Sequence, residues 1–192
     1  NNTSNWQGGG IFCYFNSNPT ISNVSIKSNT VNGDGGGISI DESSPIIENS
    51  VISSNSSNYG GGIVCGGAGG GDPTFINVTI TGNTASTTAG GIYCYSNPIL
   101  INCILWNNLP DEIVINSGSP TVTYSNIEGG YVGISNIDVD PLFLDIANDD
   151  YSLSNFSTCI GAGLDTSIVP LTDLLGNPRP NPSGSNPDMG AY

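Results

Sequence analysis

Pro73-Thr74-Phe75-Ile76-Asn77-Val78-Thr79-Ile80-Thr81-Gly82-Asn83 is one copy of a pattern that this 192-residue chain runs five times. The copies open at Pro19, Pro45, Pro73, Pro98 and Pro120, spaced 26, 28, 25 and 22 residues apart. Two positions after each proline stands Ile21, Ile47, Phe75, Leu100 or Val122, and seven after stands Ile26, Ile52, Ile80, Leu105 or Ile127. In the first four copies the fourth position is asparagine (Asn23, Asn49, Asn77, Asn102), and so is the tenth (Asn29, Asn55, Asn83, Asn108). Working outward, glycine runs from Gly8, Gly35, Gly60 and Gly90 close on Ile11, Ile38, Ile63 and Ile92. Self-similarity at such a period marks a solenoid, whose units bury their apolar faces only against one another.

The alternation within a copy selects the kind of solenoid. After the glycines, apolar residues recur at every second position (Ile11/Cys13, Ile38/Ile40, Ile63/Cys65, Ile92/Cys94, Ile113/Ile115), which is strand periodicity. A copy of about 25 residues at roughly 3.3 Å per strand residue spans one triangular coil of a parallel β-helix. The fold class is therefore all-β: a solenoid of about five three-stranded coils over residues 1–128, then an irregular segment, 129–192, that packs on or caps it. Stacking places Cys13, Ile40, Cys65, Cys94 and Ile115 in one internal column. Both asparagine columns are expected to form ladders, because an amide carries two donors and an acceptor for backbone groups that a buried bend leaves unpaired. The glycines are expected at tight corners, which need positive φ or close backbone approach. No helix follows them, so they do not read as a phosphate loop.

Charge narrows the partners. Lys27 and Arg179 are the only basic residues, against 16 acidic ones and no histidine, for a net charge of −14. Nucleic acids need basic grooves and anionic membranes need basic patches, so neither fits. No apolar run approaches the length of a membrane span, about 18 residues. A surface of Ser, Thr and Asn points to an extracellular location. Among the cysteines, Cys65 and Cys94 fall on adjacent coils, but in-register side chains point the same way, and packed free thiols are the expectation. Without CxxC spacing or histidine no zinc site is expected. No cofactor is called for; calcium is open at Asp138 and Asp140, which alternate in a turn without a full ligand set.

Asn2-Thr3 stands six residues before its glycine run, as Asn29-Thr30 does, so the chain reads as starting in the last corner of a coil. Such an edge recruits strands, from upstream sequence or from another copy. At the other end the repeat gives way to Asp140-Pro141-Leu142-Phe143, Asp150-Tyr151-Ser152-Leu153, Cys159-Ile160-Gly161-Ala162-Gly163, Asp173-Leu174-Leu175-Gly176-Asn177-Pro178-Arg179 and Asp188-Met189-Gly190-Ala191-Tyr192. This order resembles the C-terminal part of right-handed β-helix surface proteins of the choice-of-anchor Q type, which are secreted by bacteria. Thr158 and Cys159 depart from it where proline is usual before the isoleucine, and Tyr192 stands where a glutamate usually follows. The resemblance implies a right-handed helix, secretion, surface display and a downstream anchor; it implies no particular reaction.

Two functional readings follow. One is a non-enzymatic structural or interaction protein, such as a stalk, an adhesin or a filament subunit joined head-to-tail to other copies. The other is a carbohydrate-active module that binds or cleaves polysaccharide along a coil face. A uronate lyase needs a basic proton acceptor and cations, yet Lys27 stands alone and Arg179 is expected in a salt bridge closing the tail. Inverting hydrolases need carboxylates about 6.5–9.5 Å apart, whereas Asp41/Glu42, Asp111/Glu112 and Asp149/Asp150 read as solvated turns. No catalytic residue is assigned. Tyr14, Tyr59, Tyr93, Tyr95 and Trp106 are the aromatics that stacking across coils would recruit for a saccharide.

Overall fold

The computed structural model describes residues 1–67 and 70–192. Every coil of the solenoid passes through three faces, and each face is a parallel sheet whose strands come from successive coils. The first face holds Thr3–Ser4, Thr30–Val31, Ser56–Tyr59 and Thr84–Thr88. The second holds Ile11–Tyr14, Ile38–Asp41, Ile63–Cys65, Ile92–Cys94 and Ile113–Ile115. The third is longest and bent: Thr20–Ser22 and Ser25–Lys27, Ile46–Ser53, Thr74–Thr81, Ile99–Ile101 and Ile104–Trp106, Thr121–Thr123 and Asn126–Ile127.

Register is unslipped where the repeat demands it. Ile11 pairs with Ile38, Ile38 with Ile63, Ile63 with Ile92 and Ile92 with Ile113. Ile26, Ile52, Ile80, Leu105 and Ile127 stack in the same manner on the third face. One continuous core results, in which Ile38, Ile40, Ile47, Ile52, Ile63, Phe75, Ile80 and Ile92 are fully buried. A slip of one residue would turn each of these columns to solvent, so the apolar alternation itself holds the register.

The bend in the third face has a stereochemical cause. Asn23, Asn49, Asn77 and Asn102 have φ of 55°, 45°, 52° and 55°, the left-handed region that asparagine tolerates better than most residues. A left-handed residue inside a strand reverses the alternation. The side chain at this position turns outward and the next one turns in, so Val78 and Cys103 join the core directly after Asn77 and Asn102.

Beyond Ile127 the chain first closes the last coil. Ile137 pairs with Asn126, Tyr124 N–H donates to Ile134 O at 2.8 Å, and Tyr131 packs against the end of the core. The stacked strands end at Ile127, and residues 128–140 form a closing loop that still follows the coil. The remainder, 141–192, turns back along the outside of the third face. It contains the antiparallel pair Phe143–Asp145 and Asp150–Leu153 and otherwise consists of turns. This strap adds two apolar clusters outside the solenoid: Val51 with Tyr151 and Ala191, and Ile104 with Cys159 and Met189.

Candidate functional site

The two asparagine columns behave differently. Asn29, Asn55, Asn83 and Asn108 stack as a buried ladder, each Nδ2 donating to the next Oδ1 at 2.9, 3.0 and 2.9 Å. Each Oδ1 that receives a side chain also accepts the backbone N–H of the same preceding asparagine, at 3.0 Å from Asn29, Asn55 and Asn83. The second Nδ2 hydrogen of Asn55, Asn83 and Asn108 goes to the carbonyls of Ile26, Ile52 and Ile80, all at 2.9 Å. These interior amides are saturated, which is the condition for burying them. Asn2 extends the ladder by one rung, its Nδ2 donating to Asn29 Oδ1 at 3.1 Å.

Asn23, Asn49, Asn77 and Asn102 do not form the expected second ladder. The left-handed turn aims them away from the core, and one rung is made, from Asn102 Nδ2 to Asn77 Oδ1 at 3.3 Å. Their main partners belong to the strap. Asn49 donates to Thr172 O at 2.6 Å, and Asn77 donates to Asp188 O at 2.8 Å and Gly190 O at 3.0 Å. Asn102 both donates to Leu164 O at 3.0 Å and accepts from Leu164 N–H at 2.7 Å. Asn23, on the first coil, is exposed. This column is a row of sockets, and burial of Asn49, Asn77 and Asn102 is a consequence of the strap covering them.

The two basic residues fasten the same strap. Arg179 is buried, and its guanidinium donates to Asn49 Oδ1, to Gly190 O at 3.2 Å and to Tyr192 O at 3.3 Å. It was expected in a salt bridge; its partners are neutral oxygens instead, because the strap carries the cation down onto the asparagine socket. Burial lowers its pKa to about 10, with the charges of Asp173 and Asp188 acting in the opposite direction. Lys27 is not alone either: its Nζ lies 2.8 Å from Asp149 Oδ2. Asp149 is thereby drawn out of the solvated pair read with Asp150, and the lysine holds its carboxyl below the usual range.

Glu112 corrects a further expectation. Read as a solvated turn with Asp111, it is 7% exposed, and its Oε1 accepts Asn108 N–H at 2.9 Å while Oε2 accepts Asn108 Nδ2. The carboxyl therefore ends the ladder in place of a further asparagine. The signal was present in the sequence, since Glu112 occupies the position of Gly10, Gly37, Gly62 and Gly91 in earlier coils. A Cβ on Gly62 would lie 2.9 Å from Gly91 O and 3.1 Å from Asn83 Nδ2, so a side chain fits only in the last coil. Burial pushes the Glu112 carboxyl up to about 8; the Asn108 hydrogen bonds act against this, and a hydrogen bond to Glu128 adds to it. The two glutamates line a cavity of about 380 Å³ with Asp111 and Tyr131.

Asp138 and Asp140 are exposed and already hold backbone groups, accepting Gly129 N–H at 3.2 Å and Leu142 N–H at 2.9 Å. Cys13, Cys65, Cys94, Cys103 and Cys159 are free and buried. Burial raises the Cys65 thiol well above its ordinary value, with Cys94 beside it as a further cause.

A family model described as a right handed beta helix region matches residues 9–140. The chain belongs to this family. No curated protein and no solved structure matches it. The matched region of the β-helix ends where the closing loop ends, and the strap lies outside it.

Proposed function

We propose that this β-helix is a secreted, non-enzymatic structural or interaction protein of a bacterial surface, of the choice-of-anchor Q type that its tail resembles. The observation that carries the reading is the use of the chain's cations: Lys27 and Arg179 both hold the strap to the coils. The groups that could neutralise a uronate or accept its proton are thus part of the scaffold. The interior amides serve it as well, saturated along the ladder. What remains at the surface is acidic and polar, suited to displaying faces and to contacting other copies. Because residues 128–140 close the last coil, contacts between copies would use its sides.

Electron microscopy and light scattering across salt and calcium concentrations test this. Assembly that strengthens as the acids are screened or bridged is the expected result. A monomer under every condition, together with depolymerisation of a polysaccharide, would overturn it in favour of the carbohydrate-active reading.

A further inference from the structure

The outer side of the second face carries a trough that the scaffold does not account for. Its outward column reads Phe12, Ser39, Val64, Tyr93 and Val114 in register from coil to coil. Small residues in the middle coils are therefore flanked by rings, with Phe12 and Tyr14 at one end and Tyr93 and Tyr95 at the other. Three coil spacings, about 14 Å, separate the two ends. Ser39 and Val64 line a cavity of about 920 Å³ together with Gln7, Asp34, Asp41 and Tyr95, and Tyr95 is the aromatic ring among its lining residues.

The aromatics are organised across coils in a way the column arithmetic did not reveal. Tyr59 stacks on Tyr93 with centroids 5.7 Å apart, and Tyr95 meets Tyr93 edge-on at 4.9 Å. Tyr59 ends a first-face strand in register with Asp34 and Thr88, a column without another aromatic, yet it reaches the ring of the neighbouring coil. Tyr93 is buried and its hydroxyl donates to Asn116 Oδ1 at 3.3 Å, which fixes the cluster, while Tyr95 keeps 39% of its surface exposed. Phe12 and Tyr14 stack at 5.5 Å on the first coil and are 45% and 51% exposed. Fixed rings with open faces offer contact area at little entropic cost.

The connection that follows Cys65 is the longest of the series. Seven residues, Gly66 to Asp72, separate Cys65 from Pro73, against five, four and three in the first, second and fourth copies. Gly66, Gly67 and Gly70 line the cavity. Insertions in a solenoid repeat often mark the binding face.

We infer that this trough binds a neutral, hydroxyl-rich saccharide, one ring face of which lies on Tyr95 and whose hydroxyls donate to Asp34 and Asp41. The volume is in the range of ligand sites, about 300–1,000 Å³. The wall is acidic and both cations are held by the strap on another face, so an anionic sugar meets repulsion without compensation. The inference deepens the interaction reading by giving that reading a site.

Calorimetric titration of the protein with neutral glucan, mannan, galactan and xylan oligosaccharides, and with oligogalacturonate as the acidic control, tests it. Binding of a neutral oligosaccharide is expected, with oligogalacturonate silent. Tyr95→Ala should weaken that binding by roughly tenfold or more, and Tyr95→Phe, which keeps the ring, should retain most of it, both with the strand signal of the parent by circular dichroism. Failure of every neutral sugar to bind, preference for the acidic one, or a Tyr95→Ala variant that binds like the parent would overturn the site and leave the structural reading standing. Cleavage of the bound sugar, abolished by Tyr95→Ala, would support the trough and overturn the non-enzymatic reading.

Discussion

At the scale of single residues, the two asparagine columns carry different parts of the stability. Asn83 sits inside the ladder, where both its amide hydrogens and its oxygen are in use. Asn83→Ala should cost at least about 2 kcal/mol, because it orphans buried groups on both neighbouring coils. Urea denaturation measures this, and exposed Asn181→Ala should leave the midpoint unchanged. Equal effects at the two positions would contradict the ladder. Glu112 makes stability depend on pH in a stated direction. Its folded pKa of about 8 lies above the ordinary 4.5, so between these values the folded state holds a proton that the unfolded state has released. Stability should therefore fall as pH rises through that window, by up to about 1.4 kcal/mol per pH unit from this group. Glu112→Gln keeps one of the two Asn108 contacts and does not titrate, so the variant should be less stable at pH 5 and should flatten the fall. Urea midpoints measured between pH 5 and pH 8 decide it; an identical slope in both proteins would remove Glu112 as the cause.

At the scale of elements, the strap and the coils are separable. Gly190 has φ of +89°, and a Cβ there would stand 2.8 Å from Ile104 Cδ1 and 2.9 Å from Thr79 Oγ1. Gly190→Val should lift the strap off the third face through both the clash and the backbone preference. Arg179→Ala should loosen it by leaving Asn49 Oδ1 without its buried donor. Limited proteolysis is expected to cut both variants within 141–192 sooner than the parent, while circular dichroism retains the strand signal of the coils. Loss of that signal in step with cleavage would show instead that strap and solenoid unfold as one unit. The strap was legible as a segment, since the repeat stops after Ile127, but its docking row was not. Asn49, Asn77 and Asn102 have the same sequence signature as the ladder asparagines, and what distinguishes them is the sign of φ.

At the scale of the whole molecule, charge opposes compactness. A net charge of −14 on 192 residues repels itself, and the two cations offset little of it. Moderate salt should raise the melting temperature of the parent, and the increase should be smaller in a variant with several exposed aspartates, such as Asp72, Asp138 and Asp165, changed to asparagine. Thermal melts across ionic strength test this; a salt-independent melting temperature would mean that the acids are too well solvated to matter.

The sequence by itself determined the coil, its repeat length, the register of its core and the position at which the repeat ends. Side-chain alternation and a fixed period are local properties, and parallel stacking needs nothing more to bring equivalent residues together. Only the tertiary structure decided which asparagines face inward, where Lys27 and Arg179 find partners, that Glu112 closes the ladder, and that Tyr59 lies on Tyr93. Each of these depends on a backbone turn or on a meeting between distant parts of the chain: Lys27 with Asp149, Asn49 with Arg179, Asn77 with Gly190. A repeat specifies how a unit meets its own copy one coil away; it is silent about how a unit meets a segment that is not a copy.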